Sequence, residues 1–180
     1  MSAALIRRLI LFRHAKSAWL PGVQDHDRSV DERGERAAPL MGRYIAEQGL
    51  APDLALVSSA RRAQETWSLA EPAFATPVPK RDEARIYDAS VDTLLALVRA
   101  TGPEVRTLLM VGHNPGFEDL GDLLAGSGDP VALSRLRSKV PTASLIVIDI
   151  EVGAWSEFAA GRGRLERFVT PKSLGAGEDD

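Results

Sequence analysis

Four short apolar runs constrain the fold of this chain more than any other feature. They are "LIRRLILF" at 5–12, "DLALVSS" from Asp53, "VRTLLMVG" at 105–112 and "SLIVIDI" within 143–169. Their length and their Leu, Ile and Val content read as strands. Stretches with helical signals separate them. A helix is expected from Asp31 to Gln48, with Asp31 as N-cap and Gly49 as stop. "ARRAQETWSLAEPAF" reads as a helix broken near Pro72, and "VDTLLALVRAT" repeats apolar residues at helical spacing. "NPGFEDLGDLLAG" reads as a helix capped by Asn114, with Pro115 at its first position. Residues 15–30 form a polar loop, and "VPKRDEARIYDAS" is mostly irregular with a short strand near Val78. Residues 143–169 read as strand, turn, strand, turn, strand, with turns at Gly153 and Gly161–Gly163. Strands alternating with helices predict an α/β fold. The expected form is a three-layer α/β/α sandwich with a mostly parallel central sheet and antiparallel C-terminal strands. One domain is expected over 1–172, followed by a frayed polar tail over 173–180.

Composition narrows the function. The net charge of -3 argues against a general nucleic-acid binder, so any basic cluster needs a local reason. Cysteine is absent, which excludes a disulfide framework and a thiolate metal site and fits a reducing compartment. Arg7 and Arg8 interrupt the N-terminal apolar run and no small-residue cleavage site follows it, so a strand is expected there rather than a secretion signal. No window approaches the apolar length of a membrane span. The expected location is the cytoplasm.

The polar chemistry gathers at strand ends. "LILF" ends in Arg13–His14, "LALVSS" leads into Arg61–Arg62, and "LLMVG" leads into His113–Asn114. In open α/β sheets ligands bind outside the carboxyl ends of the strands. Parallel neighbouring strands would therefore bring two histidines and several arginines to one rim, with helix N-termini adding N–H donors. Such a rim suits phosphate, whose oxygens match the guanidinium fork. A histidine among arginines should have a depressed pKa, and neutral imidazole is a nucleophile toward phosphorus. No metal or other cofactor is required. The plainer roles are a strand-end structural histidine for His14 and a turn cap for His113. A solvated helix face suits Arg61, and an exposed or salt-bridged role suits His26. Asp25, His26 and Asp27 lack a standard metal-ligand spacing. Trp19, Trp67 and Trp155 are most simply core or rim packing.

"RHAKS" at 13–17, "SSARRAQET" at 58–66 and "VGHNPG" at 111–116 together resemble the histidine phosphatase superfamily, and most nearly its small bacterial phosphohistidine phosphatases. "DHDRSVDERGERAAPLMGRYI" and "RLERFVTPKSL" extend the likeness over most of the chain. The resemblance implies a phosphoglycerate mutase-like fold and His14 as the nucleophile that becomes phosphorylated. It implies that Arg13 and Arg62 hold the phosphoryl oxygens, with Arg62 selected over Arg61 because it precedes Ala-x-x-Thr, and that His113 hydrogen bonds to the phosphoryl group. Lys16, Ser17 and Asn114 lie close enough in sequence to line the substrate pocket. Larger members of the family supply a carboxylic acid for the leaving oxygen. Here Asp82, Glu83 and Asp88 are the candidates, and none stands in a clear pattern. The expected partner is a phosphohistidine-bearing protein. The alternatives are a small phosphorylated substrate, acted on by a phosphomonoesterase or mutase, and a non-catalytic phosphate-binding domain.

Overall fold

The computed structural model describes residues 4–177. The expected tail therefore runs beyond the described residues at 178–180. Within them follow, in chain order, β1 (Leu5–Arg13), α1 (Glu32–Glu47), β2 (Leu54–Val57), α2 (Arg61–Ala70), β3 (Lys80–Asp82), α3 (Val91–Arg99), β4 (Thr107–Gly112), α4 (Gly116–Leu124), β5 (Ala125–Gly128), α5 (Pro130–Ser138), β6 (Leu145–Val152) and β7 (Gly163–Val169). The strands form one sheet in the order β3-β2-β4-β1-β6-β7-β5. From β3 to β1 the neighbours are parallel. β6 is antiparallel to β1 and β7 antiparallel to β6, while β5 runs parallel to β7. The result is the expected α/β fold with a mostly parallel sheet.

Alternation along the strands explains the layers, since successive side chains point to opposite faces. Leu9 and Leu11 of β1, with Leu108 and Met110 of β4, join Leu94, Val98, Phe117, Leu120 and Leu136 from α3, α4 and α5. Ile10 and Phe12, with Leu109 and Val111, join Met41, Ile45, Ala63 and Trp67 from α1 and α2. Burial on both faces is why these strands read as continuous apolar runs. Arg7 and Arg8 of β1 are paired rather than left free in solvent. Arg7 donates to the carbonyls of Pro103, Val105 and Gly153, and Arg8 forms a two-point contact with Asp149 on β6.

The structure departs from expectation at four places. Asn114 does not cap α4, which starts at Gly116; its amide is drawn instead to the Val140 carbonyl at 2.9 Å. That helix ends at Leu124, and Ala125–Gly128 pairs with β7, because a Cβ on Gly126 would lie 1.9 Å from the Gly161 carbonyl oxygen and only glycine fits there. The segment after β6 makes a 3-10 turn at Trp155–Glu157 rather than a middle strand. Trp155 is buried there, stacks on Phe158 with ring centroids 4.7 Å apart, and donates to the Val105 carbonyl. Finally, α5 occupies a stretch for which the sequence reading made no assignment, although Asp129 caps it and Pro130 begins it. At the chain's end, Lys172–Leu174 forms a further 3-10 turn, tied back through Ser173 to Thr170. No helix among the described residues is long and apolar enough to cross a membrane.

Candidate active site

Strand register builds the site. Arg13 of β1 lies opposite Gly112 of β4, and Val57 of β2 lies opposite Val111. Parallel strands in this register release the next residues, His14, His113 and Ser58, at one end of the sheet. The two imidazoles face each other with ring centroids 5.2 Å apart and planes at 48°. His14 is 7% exposed and His113 9%.

The backbone around His14 is tied on both sides. Its N–H donates to the Gly112 carbonyl and its own carbonyl accepts from Ala143. Ring Nδ1 lies 2.8 Å from the Ala15 carbonyl oxygen. A carbonyl only accepts, so Nδ1 carries the proton and Nε2 presents a lone pair. Ala15 is held in turn, since its N–H donates to Thr66 Oγ1, whose hydroxyl donates to the Arg62 carbonyl. Burial, more than any charge, holds His14 well below the ordinary imidazole range. The Ala15 carbonyl pulls the other way, while His113, Arg13 and Arg62 add to the depression. Like charges alone were the expected cause, and the structure makes desolvation the larger one.

His113 is also kept neutral. Burial first, then Arg62, lowers it to about 3, and Asp25 partly opposes them. Its Nε2 lies 2.7 Å from Ser58 Oγ, which also accepts from the Ala60 N–H at 3.3 Å. Its Nδ1 is buried and meets no polar atom of the protein. A buried nitrogen without a partner is costly, and a phosphoryl oxygen would satisfy it.

Arg62 is 7% exposed at the start of α2. Asp25 grips it twice. The Asp25 carbonyl accepts from one terminal nitrogen at 2.7 Å, and its carboxylate accepts from the other at 3.1 Å. Arg62 Nε is buried and without a protein partner, so one edge of the fork stays uncommitted. The Asp25 carboxylate also accepts from Tyr87 Oη at 2.5 Å and from Arg28 at 3.0 Å. The Tyr87 hydroxyl above all, then Arg28 and Arg62, holds that carboxylate far below its usual range against the opposing pull of burial. Tyr87 sets its ring edgewise on His113, 5.5 Å between centroids. Arg13 donates from a terminal nitrogen to the Val140 carbonyl at 2.8 Å, the acceptor that also holds Asn114.

Of the expected pocket residues, His14, His113 and Arg62 converge, and Arg13 and Asn114 meet at Val140. Ser17 is buried, with its hydroxyl taken by Arg28 at 2.5 Å. Lys16 is half-buried, and its carbonyl accepts from Asp31 at the start of α1. Arg61 faces outward and pairs with Glu65. His26 is half-buried, with Nε2 3.0 Å from Ser59 Oγ. Two of the three acid candidates are already engaged. Lys80 and Gln64 hold Asp82, and Arg85 grips Glu83 at both oxygens, which keeps both carboxyls below their ordinary values. Asp88 is exposed with a φ of 54°. The sequence reading missed the roles of Ser58, Tyr87, Thr66 and Asp25. Two carried a usable signal: Ser58 follows a strand end just as His14 and His113 do, and Thr66 closes the Ala-x-x-Thr pattern that selected Arg62.

Comparison with known proteins bears on the family and the fold. The family model described as histidine phosphatase superfamily (branch 1) matches residues 9–89. An uncharacterized protein of Mycobacterium tuberculosis, Rv1276c, is 36% identical over 162 residues, covering 89% of this chain and 99% of that relative. Among solved structures, "the putative phosphohistidine phosphatase SixA from Agrobacterium tumefaciens" is 32% identical with a TM-score of 0.78, covering 92% of this chain and 98% of the other. The corresponding protein of Nakamurella multipartitia is 29% identical with a TM-score of 0.79, over 94% and 98%. A buried histidine pair at the carboxyl ends of parallel strands, on a fold these structures share nearly end to end, makes the chain a phosphatase of the histidine phosphatase superfamily.

Proposed function

We propose that the chain removes the phosphoryl group from phosphohistidine on a protein of a cytoplasmic signalling relay, by way of a phosphohistidine of its own at His14. One observation carries the reading. A buried, neutral imidazole whose Nδ1 proton is committed to Ala15 stands 5.2 Å from a second neutral imidazole, beside a clamped guanidinium. The Nε2 lone pair of His14 attacks phosphorus. The P–N bond to the substrate's imidazole breaks as the Nε2–P bond forms, and the departing ring takes a proton from solvent. Water then attacks phosphorus, the Nε2–P bond breaks, inorganic phosphate leaves, and the water's surplus proton returns to solvent. Arg13 and the free edge of Arg62 carry the charge on the phosphoryl oxygens. With Ser58 donating to its Nε2, His113 offers its Nδ1–H to the same oxygens. These guanidinium and imidazole donors supply the charge stabilisation that a metal ion would otherwise give. Lys16, Ser17 and Asn114 complete the pocket wall.

The choice of a P–N substrate follows from the acids. Asp82 and Glu83 are salt-bridged, which disfavours the protonated form a general acid needs, and Asp88 is exposed. Imidazole, with a conjugate-acid pKa near ~6.5, departs without the help an alkoxide needs. The test is a substrate panel of phosphohistidine, sugar phosphates and phosphoglycerate, with wild type and His14→Ala side by side and a chelator present. Hydrolysis of phosphohistidine, with acid-labile phosphate trapped on wild type and none on the variant, is the expected result. Preference for an ester would move the substrate class to small phosphomonoesters. Phosphate binding with no turnover on any substrate would refute catalysis.

A further inference from the structure

Among the described residues, large apolar side chains stand exposed at Leu5, Ile6, Trp19, Leu20, Val23 and Val131. Three of the six fall within five positions of one loop. That loop, "WLPGVQ" at 19–24, is six consecutive exposed residues with no charged side chain, in a chain that is 26% charged. Exposed apolar clusters of this kind mark interaction sites more often than they mark chance. The position of this one is informative. Gln24 leads directly into Asp25, which grips Arg62, and Trp19 lies two residues after the buried Ser17. The strip therefore forms part of the rim of the histidine pocket.

Trp19 is also held in place. Its indole is 77% exposed, yet the Arg28 guanidinium lies 3.3 Å from the ring centroid. Arg28 itself is buried and fully engaged. It donates to the Ala18 carbonyl, the Asp25 carboxylate and the Ser17 hydroxyl. One indole face is thus fixed by a cation–π contact, and the other faces solvent. An aromatic ring ordered before binding loses little entropy when covered, which is the property of an interface anchor.

We propose that the 19–24 strip is the docking surface for the apolar surface surrounding the phosphohistidine of a carrier protein. This rests on the proposed function above. Both catalytic histidines are more than nine-tenths buried, so a phosphoryl group carried on a side chain reaches His14 only when its carrier's backbone comes down on the rim. Segment 81–88, whose Tyr87 meets Asp25 and His26, is by contrast rich in charges of both signs. The apolar grip falls to the strip. A free phosphoamino acid has no surface to lay against three apolar side chains, so the strip discriminates between carried and free phosphohistidine.

The experiment compares two substrates that share the P–N bond and differ only in the carrier. One is free phosphohistidine. The other is a small helical histidine phosphocarrier, phosphorylated with phosphoramidate. Wild type, Trp19→Ala and the Leu20→Ser/Val23→Ser pair are assayed on both, and the oligomeric state of each is measured by sedimentation. Wild type should prefer the carrier. Both variants should lose about 10- to 100-fold in kcat/KM on the carrier, through KM, and keep their rate on free phosphohistidine, as truncation of a binding anchor predicts. Equal loss on both substrates would make the strip a wall of the pocket. A wild-type dimer that the variants dissolve would make it a contact between copies. Unchanged carrier kinetics would leave the strip without a role. Each of these three results overturns the docking proposal while leaving phosphohistidine hydrolysis standing. Failure of wild type on both substrates would instead overturn the proposed function.

Discussion

Two buried neutral histidines make folding stability depend steeply on pH, and this dependence reads out the state of the nucleophile. In the unfolded chain each imidazole titrates near 6.5, whereas in the fold His14 lies well below that and His113 lies at about 3. Below pH 6.5 the unfolded chain therefore binds more protons than the native one. Stability falls as pH drops through that window, by up to about 1.4 kcal/mol per pH unit for each ring. The depressed carboxyls Asp25, Asp82 and Glu83 lose stability in the same direction but in a lower window. Their contributions fade as pH falls through the unfolded values of 3.8 for the aspartates and 4.5 for the glutamate, below the interval between pH 6 and pH 5. From pH 6 to pH 5 the two histidines together cost about 2 kcal/mol, a large share of a typical domain's stability of roughly 5–15 kcal/mol. Urea denaturation at pH 6.0, 5.5 and 5.0 measures this loss. His14→Asn and His113→Asn should each lose about half as much as wild type, and the double variant close to none. A wild-type loss below about 0.5 kcal/mol, or single variants that match wild type, would mean that the rings are protonated in the native state. A neutral Nε2 nucleophile would then be untenable.

Two further perturbations test the frame around the site. Asp25→Ala removes the carboxylate from Arg62 and leaves the backbone carbonyl contact in place. Because that carboxylate is half exposed, the loss is about 1 kcal/mol, and tungstate inhibition should weaken roughly fivefold. Tighter inhibition would show that Asp25 competes with the anion instead of holding the guanidinium. Gly42→Ala places a Cβ 2.4 Å from the Ala70 carbonyl oxygen, where α1 packs on α2. Both groups belong to backbone, so the helices must part, at a cost of about 1–3 kcal/mol. Thermal unfolding should show Tm lowered by several degrees, and an unchanged Tm would mean that the helix contact is looser than described.

What the sequence alone determined is local. The apolar runs mark strands because only a pleated segment covered on both faces uses so many aliphatic residues in so few positions. Asp31 caps α1, as its position before the first helical turn predicts. His14, Arg62 and His113 stand out because each lies within a few residues of a strand's carboxyl end, a position readable from one dimension. The Trp155–Glu157 turn and β5 were not readable. Their conformations are chosen by distant partners, the Val105 carbonyl for Trp155 and β7 for Ala125–Gly128.

Tertiary structure alone decided the pairing that turns those residues into a site. The order β2-β4-β1 and the register of Arg13 with Gly112 bring His14 to His113 across 99 positions of chain. Only the fold brings Asp25 against Arg62 and Tyr87, because those contacts span 37 and 62 positions and leave no periodicity in the sequence. Desolvation, the main reason that both imidazoles stay neutral, is likewise a property of the packed interior. Residue type supplies the chemistry of this rim, and burial and register decide the protonation state and partner in which each residue meets a phosphoryl group.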